Sequence, residues 1–189
     1  MEKPQAINEY RAGLRVLFLI RRSKEGGGTN NDKIKKYVVN GEDEYNERLE
    51  TLERERKDLL EKGIVTRIYA SLNRRDINKA IREFKRQQLE ADYYDEENKN
   101  RFYLDVKNKW ISALMKPSSR ADNLFLIDID IEKVSTKVIE TLEAINAETK
   151  LTYKTKNGWH IITTPFNPAE LNGIDGVEVK KDALMLVSY

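Results

Sequence analysis

The sequence predicts a mixed α/β fold of the α+β type, and three observations carry that prediction. Short runs of β-branched, aromatic and aliphatic residues, such as Leu124 to Ile129, recur along the chain and read as strands. Between them lie longer stretches whose apolar residues return at helical spacing. Near the C-terminal end, Asn157-Gly158 sits between two strand-like runs and marks an antiparallel hairpin. From Asp122 onward the expected order is β-α-β-β-β, an open sheet with helices on one face. The first half adds two or three strands interleaved with helices, and no internal repeat is visible.

The elements follow in order. Leu14 to Ile20 is strand-like, and the stretch from Glu25 to Asn31, with its three glycines, reads as a loop. No Lys-Ser or Lys-Thr follows those glycines at P-loop spacing. Lys35 to Val39 reads as a short strand. Glu42 to Lys62 is strongly helical, with Tyr45, Leu49, Leu52 and Leu59 on one stripe and Gly63 as its stop. Ile64 to Leu72 is a second strand. Asp76 is placed to cap the helix of Ile77, Ala80, Ile81 and Phe84. An acidic break over Asp92 to Asn98 precedes a further helix from Asn100 to Met115, expected to bury Phe102, Val106, Trp110 and Leu114 and to end at Pro117. After the strand at Leu124, Ser135 opens a helix through Val138, Leu142 and Ile145. The hairpin of Lys150 to Lys154 and Trp159 to Thr163 follows. Pro165 to Gly173 connects it to two last strands, Val177 to Val179 and Ala183 to Ser188. One domain over residues 1–189 is expected, with an N-terminal α/β subdomain and helical insertion over 1–115 and a second subdomain over 116–189.

Composition limits the function. A chain of 189 residues with 39% hydrophobic and 35% charged residues is expected to be globular, with a highly charged surface. The net charge of +2 is too small to identify a nucleic-acid binder, so local clusters such as Arg74-Arg75, Arg82-Lys85-Arg86, Lys154-Lys156 and Lys180-Lys181 matter more. The absence of cysteine excludes disulfides, zinc ribbons and thiol nucleophiles. No run reaches the length of a membrane span and no signal-peptide pattern opens the chain, so a cytoplasmic location, in a cell or a virus-infected host, and no membrane partner are expected.

The candidate chemistry centres on Asp128 and Asp130. Residues two apart on a strand share a face, so Phe125, Ile127, Ile129 and Ile131 point one way, and Leu126, Asp128 and Asp130 the other. Two carboxylates side by side repel and lose hydration unless a cation lies between them. Oxygen donors of this kind suit Mg²⁺ or Mn²⁺. On this reading Asp128→Asn leaves the metal-free fold unchanged or stabilises it. Glu178, between Val177 and Val179, is the preferred third acid, with Asp175 and Asp182 as alternatives. His160, the chain's single histidine, follows a turn containing Lys154, Thr155 and Lys156, a set suited to a triphosphate.

In sequence order, Asp128-Ile129-Asp130, then Thr155-Lys156-Asn157-Gly158-Trp159-His160, then Val177-Glu178-Val179 resembles the archaeo-eukaryotic primase superfamily. That family's motifs are a hydrophobic residue followed by Asp-x-Asp, a Ser-containing turn leading to His, and a hydrophobic residue followed by an acid. The resemblance covers about residues 64–189, includes Ile68 to Arg74 weakly, and reaches 14–63 more faintly. It implies an RRM-like catalytic sheet over 116–189. It further implies two Mg²⁺ or Mn²⁺ ions on Asp128, Asp130 and Glu178, and a nucleoside triphosphate held by Lys154, Thr155, Lys156 and His160. The implied activity is primase- or polymerase-like nucleotidyl transfer. The expected template is single-stranded DNA, met by Arg74, Arg75 and Arg82, and the expected partner is a separately encoded helicase or other replication protein. The chain departs from the pattern in carrying Thr155 for the usual Ser and Glu178 for the more usual Asp, and in having no zinc-binding element. A non-catalytic nucleic-acid or replisome-binding module on the same fold and a metal-dependent nuclease are the rival readings.

Overall fold

The computed structural model describes residues 10–21, 32–130, 136–155 and 158–188. Its strands are β1 (Leu14–Arg21), β2 (Asp32–Asn40), β3 (Thr66–Ser71), β4 (Phe125–Ile129), β5 (Thr149–Lys154), β6 (Trp159–Thr163), β7 (Val177–Lys180) and β8 (Leu184–Ser188). Its helices are α1 (Glu42–Glu61), α2 (Ile77–Tyr94), α3 (Glu96–Leu104), α4 (Val106–Leu114) and α5 (Thr136–Ala144). The strands form two four-stranded sheets, β2-β1-β3-β8 and β5-β6-β4-β7. Every pairing is antiparallel. The fold is therefore α+β.

The sheets divide the core by strand alternation. Leu17 and Leu19 of β1 face the central core, with Tyr45, Leu49 and Leu52 of α1 and with Leu126, Tyr153 and Ile162 of the second sheet. Val16, Phe18 and Ile20 face the other way, against Ala80 of α2 and Ile111 and Leu114 of α4. Under the second sheet, Ile127, Ile129 and Ile161 pack on Val138 and Leu142 of α5. Fully burying each such Leu or Ile contributes about 1.5–3 kcal/mol. The alternation expected for the strand at Leu124 holds: Leu126 lies in one core, and Ile127 and Ile129 in another. Ile131 and Ser135, like the loop over Glu25 to Asn31, lie outside the described residues.

Asp76 caps α2 as expected, its carboxylate accepting from the N–H groups of Asn78 and Lys79. Three expectations need correction. The helix expected over Asn100 to Met115 is two helices, α3 and α4, separated at Asp105. Asp105 accepts a 2.5 Å hydrogen bond from the Asn108 side chain, a local alternative to helical pairing that short polar residues favour. Phe102 and Trp110 nevertheless both reach Phe84, at 5.4 and 5.8 Å between ring centroids, whereas Val106 is exposed. The acidic break shrinks to Asp95, which ends α2 and caps α3 by accepting from the Asn98 N–H. Finally, β8 does not extend the second sheet. It pairs with β3 in the first sheet, because Ala183 and Met185 bury there beside Ile68 and Ala70.

The crossing from β7 to β8 is tied down by residues expected on a nucleic-acid surface. The guanidinium of Arg75 grips both carboxylate oxygens of Asp182 at 3.1 and 2.9 Å, with the Arg75 side chain fully buried. Asn73 donates to the Leu124 carbonyl and accepts from the Leu124 N–H at 2.6 Å, fixing the chain just before β4. Arg74 forms a bidentate pair with Asp122. Planar guanidinium–carboxylate forks of this kind hold geometry as well as charge.

Candidate functional site

Asp128 stands in the middle of a row. On β4, an inner strand, it pairs in register with His160 of β6 on one side and with Glu178 of β7 on the other. Residues directly opposite each other on neighbouring strands project from the same face. Asp128, His160 and Glu178 therefore share the face opposite Ile127 and Ile129. Lys180, two residues beyond Glu178, joins that face.

The contacts are close. Asp128 Oδ1 lies 3.1 Å from His160 Nε2, and Asp128 Oδ2 lies 2.6 Å from Lys180 Nζ. The same ammonium lies 3.1 Å from Glu178 Oε2. The hydrogen bond from His160 holds the Asp128 carboxyl down to about 2, aided by Lys180 and opposed by burial. Burial works against the Lys180 charge, but hydrogen bonds to Asp128 and Glu178 outweigh it and raise its pKa. Behind His160, Nδ1 meets the Tyr153 hydroxyl at 2.7 Å. An ionised Asp128 only accepts, so Nε2 donates to it, and Nδ1 shares a hydrogen bond with the Tyr153 hydroxyl. Burial pushes the Tyr153 hydroxyl well above its ordinary pKa, so it stays protonated. Both ring nitrogens of His160 are thus engaged.

The turn after β5 meets the end of β4. The Thr155 N–H donates to the Gly158 carbonyl at 2.8 Å, and the Gly158 N–H donates to Thr155 Oγ1 at 3.1 Å. A Cβ on Gly158 would fall 1.8 Å from the Ile129 carbonyl oxygen. Glycine is therefore required here because of the close backbone approach, in addition to the turn that the sequence suggests. Thr155, tied to Gly158 by both hydrogen bonds, lines the same cleft as the carboxylates.

A cleft of about 290 Å³ opens where β3 and β8 meet the second sheet, and Asp128, Asp130, Glu178, Thr155 and His160 line it together. Asp130 sits just past the end of β4, its N–H donating to the Gly176 carbonyl at 2.8 Å. The other expected residues lie elsewhere. Lys154 is exposed and does not line the cleft, and Lys156 is outside the described residues. Arg75 is buried on Asp182, so Arg75 is not a surface contact for nucleic acid, and Asp182, the alternative third acid, is held by it away from the cleft. Arg74 is half-exposed and held by Asp122. Arg82 is exposed on α2 and Asp175 lies exposed before β7, neither of them on the cleft. Lys180, Arg67 and Tyr69 line the cleft although sequence reading did not single them out for it. The signal for Lys180 was its two-residue spacing from Glu178. Arg67 and Tyr69 share a face of β3, but only the β3–β8 pairing brings them here.

Asp128, Asp130 and Glu178 are hard oxygen donors of the kind that hold Mg²⁺ or Mn²⁺. Asp128 is ionised at neutral pH, and the gap between it and Glu178 already holds a positive charge, that of Lys180. The donor chemistry therefore fits a divalent cation. Among the described residues no three acidic or imidazole groups converge as a closed metal site, and none of the helices is long and apolar enough to cross a membrane. No protein-family model, no curated protein and no solved structure matches this chain.

Proposed function

We propose that this cleft joins nucleotides on a single-stranded nucleic-acid template and releases pyrophosphate. The observation that supports the reading is the row Asp128, His160 and Glu178. Three motifs separated in sequence meet side by side on adjacent strands. Asp128, Asp130 and Glu178 would hold Mg²⁺ or Mn²⁺. When bound, such ions supply charge neutralisation at the reacting phosphate. The chain's own residues do the positioning. His160, locked by Tyr153, fixes the orientation of the Asp128 carboxylate. Thr155 and the Arg67 and Lys180 cations line the same cleft and suit the negative charge of a triphosphate. A strand-end hydroxyl attacks the α-phosphate. The new P–O bond forms as the bond to the β-phosphate breaks, pyrophosphate leaves, and the hydroxyl proton passes to water.

One observation favours a second reading. Lys180 already bridges Asp128 and Glu178, as it would in a nucleic-acid or replisome-binding module that needs no metal. Single-stranded DNA, labelled nucleotides and Mn²⁺, followed by a sizing gel, separate the two. Labelled products longer than one nucleotide are expected from the wild type and none from Asp128→Asn. His160→Ala, which frees the Asp128 carboxylate to reorient, should weaken Mn²⁺-dependent nucleotide binding several-fold and leave DNA affinity nearly unchanged. Absence of product together with absence of nucleotide binding would overturn the nucleotidyl-transfer reading.

A further inference from the structure

We infer that Lys180 is a built-in counter-ion that occupies the place between Asp128 and Glu178 until a divalent cation displaces it. The inference rests on the nucleotidyl-transfer reading only in taking a divalent cation as a ligand of this cleft.

The two oxygens of Asp128 have partners of different character. Oδ1 is held by His160, which is buried and fixed from behind by Tyr153. Oδ2 is held by Lys180, whose side chain is 36% exposed on a flexible four-carbon arm with open solvent beside it. One partner is locked and the other can leave. The ammonium also reaches Glu178 Oε2 at 3.1 Å, so one monovalent charge serves two carboxylates. A divalent ion offers twice that charge to the same two oxygens, and both cations cannot occupy one gap. Lysine and metal therefore compete. Strand geometry makes the arrangement specific. Glu178 and Lys180 share a face of β7, and Glu178 lies directly across from Asp128. After displacement Lys180 stays tethered at the cleft wall, where its charge meets any polyphosphate that follows the metal in.

Two measurements on the full chain test this. The first is Mn²⁺ affinity by titration calorimetry for wild type, Lys180→Met and Lys180→Gln, with Asp128→Asn as the control that removes a metal donor. The glutamine variant keeps a polar group of similar reach if the methionine variant does not fold. The second is reductive methylation of Lys180, read by mass spectrometry with and without saturating Mn²⁺. Loss of the competing ammonium should tighten Mn²⁺ binding about ten- to a hundredfold. Methylation of wild-type Lys180 should rise several-fold when Mn²⁺ is added. Both results are required. If Mn²⁺ binds wild type and is lost in Asp128→Asn, yet the Lys180 variants bind it no tighter or the labelling does not change, the counter-ion inference is overturned and the metal reading stands. If Mn²⁺ binds none of the folded variants, the metal reading falls and the inference falls with it.

Discussion

At the scale of single residues, Asp128 reverses an expectation based on charge alone. Two acids two residues apart suggest repulsion, which would raise the pKa and make Asp128→Asn harmless or stabilising without metal. In the structure each Asp128 oxygen has its own donor, His160 or Lys180, and the carboxyl falls from 3.8 to about 2. A depressed carboxyl pKa contributes stability that is fully present above the unfolded value near 4 and is lost as pH falls through 2. The shift corresponds to about 2 kcal/mol. Asp128→Asn should therefore destabilise the metal-free protein by about 2 kcal/mol at pH 7. The gap between variant and wild type should shrink as pH drops from about 4 to about 2. Urea unfolding across that pH range is the measurement. A variant as stable as wild type at pH 7 would show that repulsion from Asp130 and Glu178 cancels the two hydrogen bonds.

At the scale of elements, the turn between β5 and β6 depends on one missing Cβ. Gly158 lets the turn backbone press against the end of β4, and an alanine there would collide with the Ile129 carbonyl. Gly158→Ala should cost about 1–3 kcal/mol of stability, the usual range for forced overpacking. It should also lower nucleotide affinity, because Thr155 moves away from the carboxylates. Chemical denaturation and nucleotide titration read the two effects, and wild-type values in both would mean that the turn sits clear of β4. The segment Asn73-Arg74-Arg75 teaches a different lesson. Its two arginines look like a phosphate-binding cluster in sequence, yet their charges are used on Asp122 and Asp182, and the Asn73 amide on the Leu124 backbone, to hold β4 and β8 in place. A run of basic residues does not reveal whether its partners are internal acids or an external polyanion.

For the whole molecule, the central core joins both sheets. Leu17, Leu19 and Ile68 from one and Leu126, Tyr153 and Ile162 from the other are buried together, and β8 returns the chain to the first sheet after β7. Neither sheet keeps that core when the other is lost. Heat or urea should therefore unfold the chain in one cooperative transition. Scanning calorimetry should give a calorimetric enthalpy equal to the van't Hoff value. Two separable transitions would mean that the sheets are stable units on their own.

Local patterns alone determined much of this protein. Alternation assigned the faces of β4, Asn157-Gly158 marked the hairpin, and Asp76 marked a helix start. These features depend on neighbours a few residues apart, so the linear chain displays them. The sequence did not reveal that β8 would join β3 or that Arg75 would be buried on Asp182. It also did not reveal that Arg67, Tyr69 and Lys180 would complete the cleft. Those outcomes depend on which distant surfaces bury each other best. An apolar strand such as Leu184 to Ser188 fits the edge of either sheet by its pattern, and the choice was made by the space beside Ile68 and Ala70 and by the ion pair that anchors the crossing.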